Sequence, residues 1–223
     1  MRKIGSITPI WNNEIFIKPH FTMLSNLNRN VVILGEKPWD EYAKDFNISS
    51  VKDKSEEILK NDFPKVKIIK DRVGHFCGGL FNQGLEELSD MDIVLKLDVD
   101  MLFEKKDWDR LIDFLSGTDY DAFRLDYYEC SKTYAYGTKC GSKHNEFEKD
   151  YIAVSPRNQF GSGLIYPSKK EYLINWPDFT CHHMRCWKPN QRNINRDVID
   201  NPMPRELINM FDKKLLNSFL KLS

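Results

Sequence analysis

The chain has 223 residues, 41% of them hydrophobic and 30% charged, with 33 Lys and Arg set against 33 Asp and Glu. That length supports one well-buried core, and that composition belongs to a globular protein, which excludes a disordered tail or a fibre. A formal net charge of zero excludes a protein whose main task is coating nucleic acid, and apolar runs such as Val31–Leu34 fall far short of the ~20 residues that cross a bilayer.

The opening residues Met1–Gly5 lead straight into a strand-like segment, Ile4–Ile10, which argues against a cleaved signal peptide. Glu14–Leu27 has helical spacing. Val31–Leu34 is a continuous apolar run stopped by Gly35, as suits a buried parallel strand. Lys54–Asn61 reads as a helix, with Asp53 or Ser55 available to cap it. Val66–Ile69 reads as a strand, and Gly78–Leu88 as a helix with Leu80, Phe81, Gly84, Leu85 and Leu88 on one face. Ile93–Leu97 is a further strand, ending in Asp98-Val99-Asp100. Residues 126–150, rich in Tyr, Gly, Ser, Lys and Cys, suit a long loop excursion, and Gly161–Pro167 a turn entering a short strand. Arg205–Leu222 is amphipathic, carrying Leu207, Ile208, Phe211, Leu215, Phe219 and Leu222, and suits packing on the sheet or a homodimer contact. The five cysteines, Cys77, Cys130, Cys140, Cys181 and Cys186, form an odd set at irregular spacing, which predicts reduced thiols and a cytoplasmic setting.

Strands alternating with helices over the first hundred residues predict an α/β fold with right-handed crossovers and a mostly parallel, Rossmann-like sheet flanked by helices. Ligands of such sheets bind outside the carboxyl ends of the strands. The tips after Ile10, Leu34, Ile69 and Leu97 therefore share one rim, which gathers Trp11, Glu36, Asp71, Arg72, Asp98 and Asp100. Two carboxylates one residue apart at a strand terminus repel each other, and a divalent cation relieves the repulsion. Mg²⁺ and Mn²⁺ favour one or two carboxylates completed by phosphate oxygens and water, so the pattern points to a metal that bridges protein and a diphosphate.

The segment Phe81-Asn82-Gln83-Gly84-Leu85, followed by Met91-Asp92-Ile93-Val94-Leu95-Lys96-Leu97-Asp98-Val99-Asp100, resembles the GT-A fold glycosyltransferases, above all the family 2-like members. In these an Asn-x-Gly helix leads into a strand that ends in Asp-x-Asp. Ile7-Thr8-Pro9-Ile10-Trp11-Asn12 is similar to that family's first strand and the turn after it, and Val51–Leu59 to its acidic segment after the second strand. The resemblance covers residues 4–103 in order and, more loosely, 158–188. It implies a single GT-A-like domain: a nucleotide-sugar-binding half over 1–103, an acceptor-side half over 104–204 and the C-terminal helix over 205–223. It also implies a nucleoside-diphosphate-sugar donor, a hydroxyl acceptor on a glycan, lipid or protein, and Mn²⁺ or Mg²⁺. Thr8, Pro9 and Trp11 would line the nucleotide pocket, Asp53 would lie near the base, Asp98 would face the ribose or a metal-bound water, and Asp100 would hold the metal, with Asp98 beside it as a candidate ligand. Lys52 stands where the family has the first of two Asp residues, so Glu36 could serve the base instead. Phe81 stands where the family has an Arg, so an Arg contact to the nucleotide would come from Arg72.

The densest chemistry of the second half is Cys181-His182-His183-Met184-Arg185-Cys186-Trp187-Lys188. Three readings stay open. By the resemblance, His182 or His183 supplies a further ligand to the Asp-x-Asp metal. Cys181, a histidine and Cys186, with Cys130 or Cys140, could instead form a structural zinc site, although the spacing matches no standard module. Ordinary loop histidines are the third reading. Arg185, Lys188, Arg192 and Arg196 concentrate positive charge that would balance a departing diphosphate, and Trp187 could close over the donor.

An inverting transfer needs one carboxylate to take the acceptor's proton. Asp178, in Trp176-Pro177-Asp178-Phe179, is the first choice, with Glu171 second. Gly161-Ser162-Gly163 is too short for a phosphate-binding fingerprint and reads as a close backbone approach or a plain turn. Tyr127, Tyr128, Tyr134, Tyr136, Trp176 and Trp187 are aromatics that could stack on sugars or simply pack. The expectation is a metal-dependent, inverting glycosyltransferase of the hexosyl type. The alternatives are a sugar nucleotidyltransferase, which would need a Gly-rich basic loop after the first strand, and a zinc-stabilised binding module without catalysis.

Overall fold

The computed structural model describes residues 1–11, 13–35, 54–71, 78–118, 122–125, 128–129, 151–154, 171–174, 181–183 and 205–214. Strand β1 (Ile4–Ile10) is buried along its whole length. Helix α1 (Glu14–Met23) and a short 3₁₀ turn (Leu24–Asn26) lead to β2 (Arg29–Gly35), which runs parallel to β1 with Ile7 opposite Val31 and Ile10 opposite Leu34. Helix α2 (Ser55–Asp62) precedes β3 (Lys67–Asp71), parallel to β2. Helix α3 (Gly78–Glu87) precedes β4 (Ile93–Lys96), which returns to the free edge of β1, again parallel, with Ile7 opposite Lys96.

Each strand presents alternate residues to opposite faces. Ile4 and Ile10 of β1, Val32 and Leu34 of β2, and Ile93 and Leu95 of β4 pack with Phe16, Ile17 and Phe21 of α1. On the other face Ile7, Val31, Ile33 and Val94 meet Phe81 and Leu85 of α3. Because both faces are covered, Val31–Leu34 of β2 and Ile93–Leu95 of β4 read as unbroken apolar runs, while β1 carries buried Ser6 and Thr8 between its isoleucines. Gly84 marks the closest approach of α3 to β1: a Cβ there would meet Ile7 Cδ1 at 2.9 Å and Cγ1 at 3.2 Å. Gly84→Val is therefore expected to lower stability by about 2 kcal/mol in urea denaturation, and Gly84→Ala, whose methyl displaces only the end of Ile7, by less.

After β4 come β5 (Met101–Phe103), α4 (Lys105–Gly117), β6 (Ala122–Leu125), β7 (Tyr128–Glu129), β8 (Tyr151–Val154), β9 (Glu171–Ile174), β10 (Cys181–His183) and α5 (Arg205–Met210). Among the described residues the main sheet has seven strands in the order β3-β2-β1-β4-β8-β6-β9, and a second sheet has three, β5-β10-β7. Among these strands of the main sheet only β8 runs antiparallel to its neighbours. No helix among the described residues is long and apolar enough to cross a membrane.

Three expectations need correction. Lys54 stands at the N-cap of helix α2 and its side chain makes no cap bond; Ser55 is the buried first helical residue, Asp53 lies outside the described residues, and the backbone N–H of Lys54 donates to Glu14 Oε2 at 2.8 Å. A carboxylate from α1 thus meets the positive end of α2 in place of a local cap. The long helix expected over 205–222 ends at Met210, and Asp212 Oδ1 accepts from the Lys214 N–H at 2.9 Å, the local bond with which Asp opens a new turn. Its apolar face does pack: Leu207 and Phe211 are buried, and the Phe211 ring stands edge-on to Phe16 with centroids 5.9 Å apart. Within the expected excursion 126–150, Tyr128 and Glu129 form a strand paired with β10.

Candidate active site

The strand order runs outward from β1 through β2 to β3 and then jumps back to β4, so the topology reverses between β1 and β4. A crevice opens beyond the carboxyl ends of the strands at such a reversal. The register holds Lys96 beside Ile7, and the Leu97 N–H donates to Ile7 O at 3.3 Å, so the chain leaving β4 enters the rim next to the last residues of β1. There it turns through Asp98-Val99-Asp100, closed by a bond from the Met101 N–H to Asp98 O at 2.9 Å. Val99 and Asp100 are buried, while Asp98 is half-buried. The turn thus brings two acids to the mouth of the reversal, and the Asp98 carboxylate has no hydrogen bond or ion pair with any described residue.

Strand β5 follows the turn directly and takes β10 as its antiparallel partner, with His183 opposite Met101, His182 opposite Leu102 and Cys181 opposite Phe103. Both histidines are thus brought alongside the acidic turn. The His182 ring is buried with Nε2 3.7 Å from Glu104 Oε1, longer than a hydrogen bond and within ion-pair range. Proximity to His182 holds the Glu104 carboxyl below its usual range, with partial burial opposing. Burial pushes the Cys181 thiol well up, and the charges of Asp100 and Asp98 push it further, so it stays protonated.

The sequence reading missed His20. It is fully buried in α1, with Nε2 3.0 Å from Thr8 Oγ1 and Nδ1 3.3 Å from Met101 O. Burial lowers its pKa to about 4; the bond to Met101 and the charges of Asp100 and Asp98 oppose the shift. The ring is therefore neutral at pH 7. Its only sequence signal is a histidine on an otherwise apolar helix face, which alone does not separate a packed ring from a working one.

Thr8 does not line the rim as expected: it is fully buried and its hydroxyl is spent on His20, because the alternation of β1 turns it toward α1. Pro9 is buried as well. Trp11 follows β1 with 9% of its surface exposed, and its carbonyl accepts from Asn13 Nδ2 at 2.7 Å. Asp71 closes β3 and is buried. Phe81 is buried, with the Lys96 ammonium 5.6 Å from its ring centroid. Glu171 opens β9 at the outer edge of the sheet, level with Val94 through Ala122 and Val154. Three strand spacings and four residue rises put its backbone about 20 Å from Asp98, beyond the reach of a glutamate side chain and at odds with its place as the second candidate base. Glu36, Asp53, Arg72, Asp178, Arg185 and Lys188 lie outside the described residues, as do Cys130, Cys140 and Cys186 of the zinc reading.

The acidic turn fits a hard divalent cation in its donor chemistry, since carboxylate oxygens suit Mg²⁺ and Mn²⁺. Among the described residues no three His, Cys, Asp or Glu side chains gather closely enough to enclose an ion. An open site that completes its ligands with phosphate and water needs only the pair.

A mostly parallel α/β sheet with an acidic turn at its reversal suits the GT-A fold, and comparison with known structures agrees. No family model and no curated protein sequence matches the chain. The structure of S. aureus TarS 1–349 aligns at a TM-score of 0.52 and 12% identity, over 83% of this chain and 61% of that one. The same protein in complex with UDP gives 0.51 and 12%, over 81% and 60%. Glucosyl-3-phosphoglycerate synthase from Mycobacterium tuberculosis, in complex with Mn²⁺, UDP and phosphoglyceric acid, gives 0.41 and 16%, over 56% and 43%. The chain spans about three-fifths of the TarS structure, and the GT-A fold that its motifs resemble is the fold it has.

Proposed function

We propose that the protein is a glycosyltransferase that takes a sugar from a nucleoside diphosphate, with inversion, to a hydroxyl acceptor. The observation that carries the reading is the Asp98 carboxylate, unengaged by any described residue, above buried Asp100 at the β1/β4 reversal of a GT-A sheet. Asp98 and Asp100 would hold Mn²⁺ or Mg²⁺, with His183 of β10 as a further donor; His182, expected as an alternative donor, gathers with no acidic pair among the described residues and faces Glu104 instead. The ion would supply positive charge against the diphosphate of the leaving group. Trp11 and Pro9, with Glu36, Asp53 and Arg72, would bind the nucleotide, and Arg185 and Lys188 would meet its phosphates. Asp178, three residues before Cys181 and its pairing with Phe103, would accept the proton of the acceptor hydroxyl as the new glycosidic bond forms and the diphosphate departs. The reduced Cys181 thiol suits a cytoplasmic setting.

UDP is the first donor base to test, because two TarS structures of this fold carry UDP or UDP-GlcNAc. With Mn²⁺ present, UDP at about 100 times its Kd is expected to raise the melting temperature by about 5–10 °C. Asp100→Ala is expected to lose that shift. A screen in which neither UDP nor any other nucleoside diphosphate shifts the wild-type protein with Mn²⁺ overturns the reading.

A further inference from the structure

We propose that His20 is a positioning residue for the acidic turn, tying the backbone just beyond Asp100 to β1 through Thr8. The inference rests on the glycosyltransferase reading above. A backbone carbonyl only accepts, so the 3.3 Å contact with Met101 O places the ring proton on Nδ1, and Nε2 accepts from the Thr8 hydroxyl at 3.0 Å. The ring is a rigid strut between two strands of different sheets, since Thr8 lies in β1 and Met101 opens β5.

Met101 is the residue where displacement would be felt. Its N–H closes the acidic turn onto Asp98 O, its carbonyl takes His20, and its strand position is paired with His183. Helix α1 grips β5 a second time, where the Phe103 N–H meets Met23 Sδ at 3.3 Å. A three-residue strand is too short to hold its own register, so these two ties from α1 set where the carboxylates begin and where β10 docks. Groups that orient metal-ligating side chains change metal affinity 10–100-fold when removed.

The test measures Mn²⁺ alone, as free ion by EPR, on the full chain, with thermal unfolding recorded in parallel. His20→Leu keeps apolar volume and loses both bonds; it is expected to weaken Mn²⁺ binding about 10–100-fold. In His20→Asn the amide nitrogen takes the place of Nδ1 and donates to Met101 O, so this variant is expected to recover most of the affinity although its cavity makes it less stable. Affinity that follows the hydrogen bond and not the melting temperature is the signature of positioning. Wild-type affinity in His20→Leu, or affinities that simply rank with stability, overturn the inference. If His20→Leu does not fold, Thr8→Val removes the hydroxyl at nearly constant volume and is expected to weaken binding several-fold, with unchanged affinity again overturning the inference. Wild-type protein that binds no Mn²⁺, or Asp98→Asn that binds it as tightly as wild type, overturns the metal site itself and the inference with it.

Discussion

Asp98→Asn is expected to lower the proposed sugar transfer by about 10²–10³-fold while leaving the metal-free protein as stable as wild type or slightly more so. Asparagine keeps the shape of aspartate and gives up its charge, so the loss reports charge alone. Removing one preorganised electrostatic contact to a developing negative charge costs about 10²–10³ in rate, or roughly 3–4 kcal/mol. Stability moves the other way for a local reason. Asp98 is half-buried, makes no hydrogen bond or ion pair with any described residue, and lies two positions from the buried carboxylate of Asp100. Neutralising it relieves like-charge repulsion and the cost of partial desolvation. An acid kept for stability would show the reverse, a large fall in melting temperature. The check is UDP release, with water or a mixed glycan pool as acceptor, alongside urea denaturation in EDTA. Near-wild-type release from Asp98→Asn with an active wild-type protein removes Asp98 from the active site.

The second large effect is acid lability from His20. Burial lowers its pKa from 6.5 to about 4. Below pH 6.5 the unfolded chain takes up a proton that the native ring refuses until about pH 4, so the unfolded state binds more protons and stability falls as pH falls. The contribution of the neutral ring is fully present above pH 6.5 and is lost on the way down to pH 4, in all about 3 kcal/mol at 1.36 kcal/mol per unit. Between pH 6.5 and pH 5, where ordinary carboxylates remain ionised, about 2 kcal/mol of it is expected in urea titrations. His20→Asn has nothing to titrate there and is expected to show a correspondingly flatter profile. Parallel pH profiles for the two proteins would mean that the native ring takes its proton as readily as the unfolded one.

The segments Ile4–Ile10, Val31–Leu34 and Ile93–Leu97 read as strands, the second as a buried one, and the spacing of Phe81, Leu85 and Leu88 gave the inner face of α3, because periodicity is a local property of the chain. Alternation of strand and helix then implied a parallel sheet, and a parallel sheet implied a common rim, so Asp98 and Asp100 could be placed on that rim from the sequence alone. Contacts between segments far apart in sequence leave no such trace. The pairing of His182 with Leu102, the antiparallel insertion of β8 beside β4, and the strut from Thr8 through His20 to Met101 depend on register and packing that no single segment encodes. Thr8 shows the difference most sharply: the family resemblance put it near the nucleotide, but the tertiary packing turns it toward α1, where its hydroxyl meets the buried His20 ring.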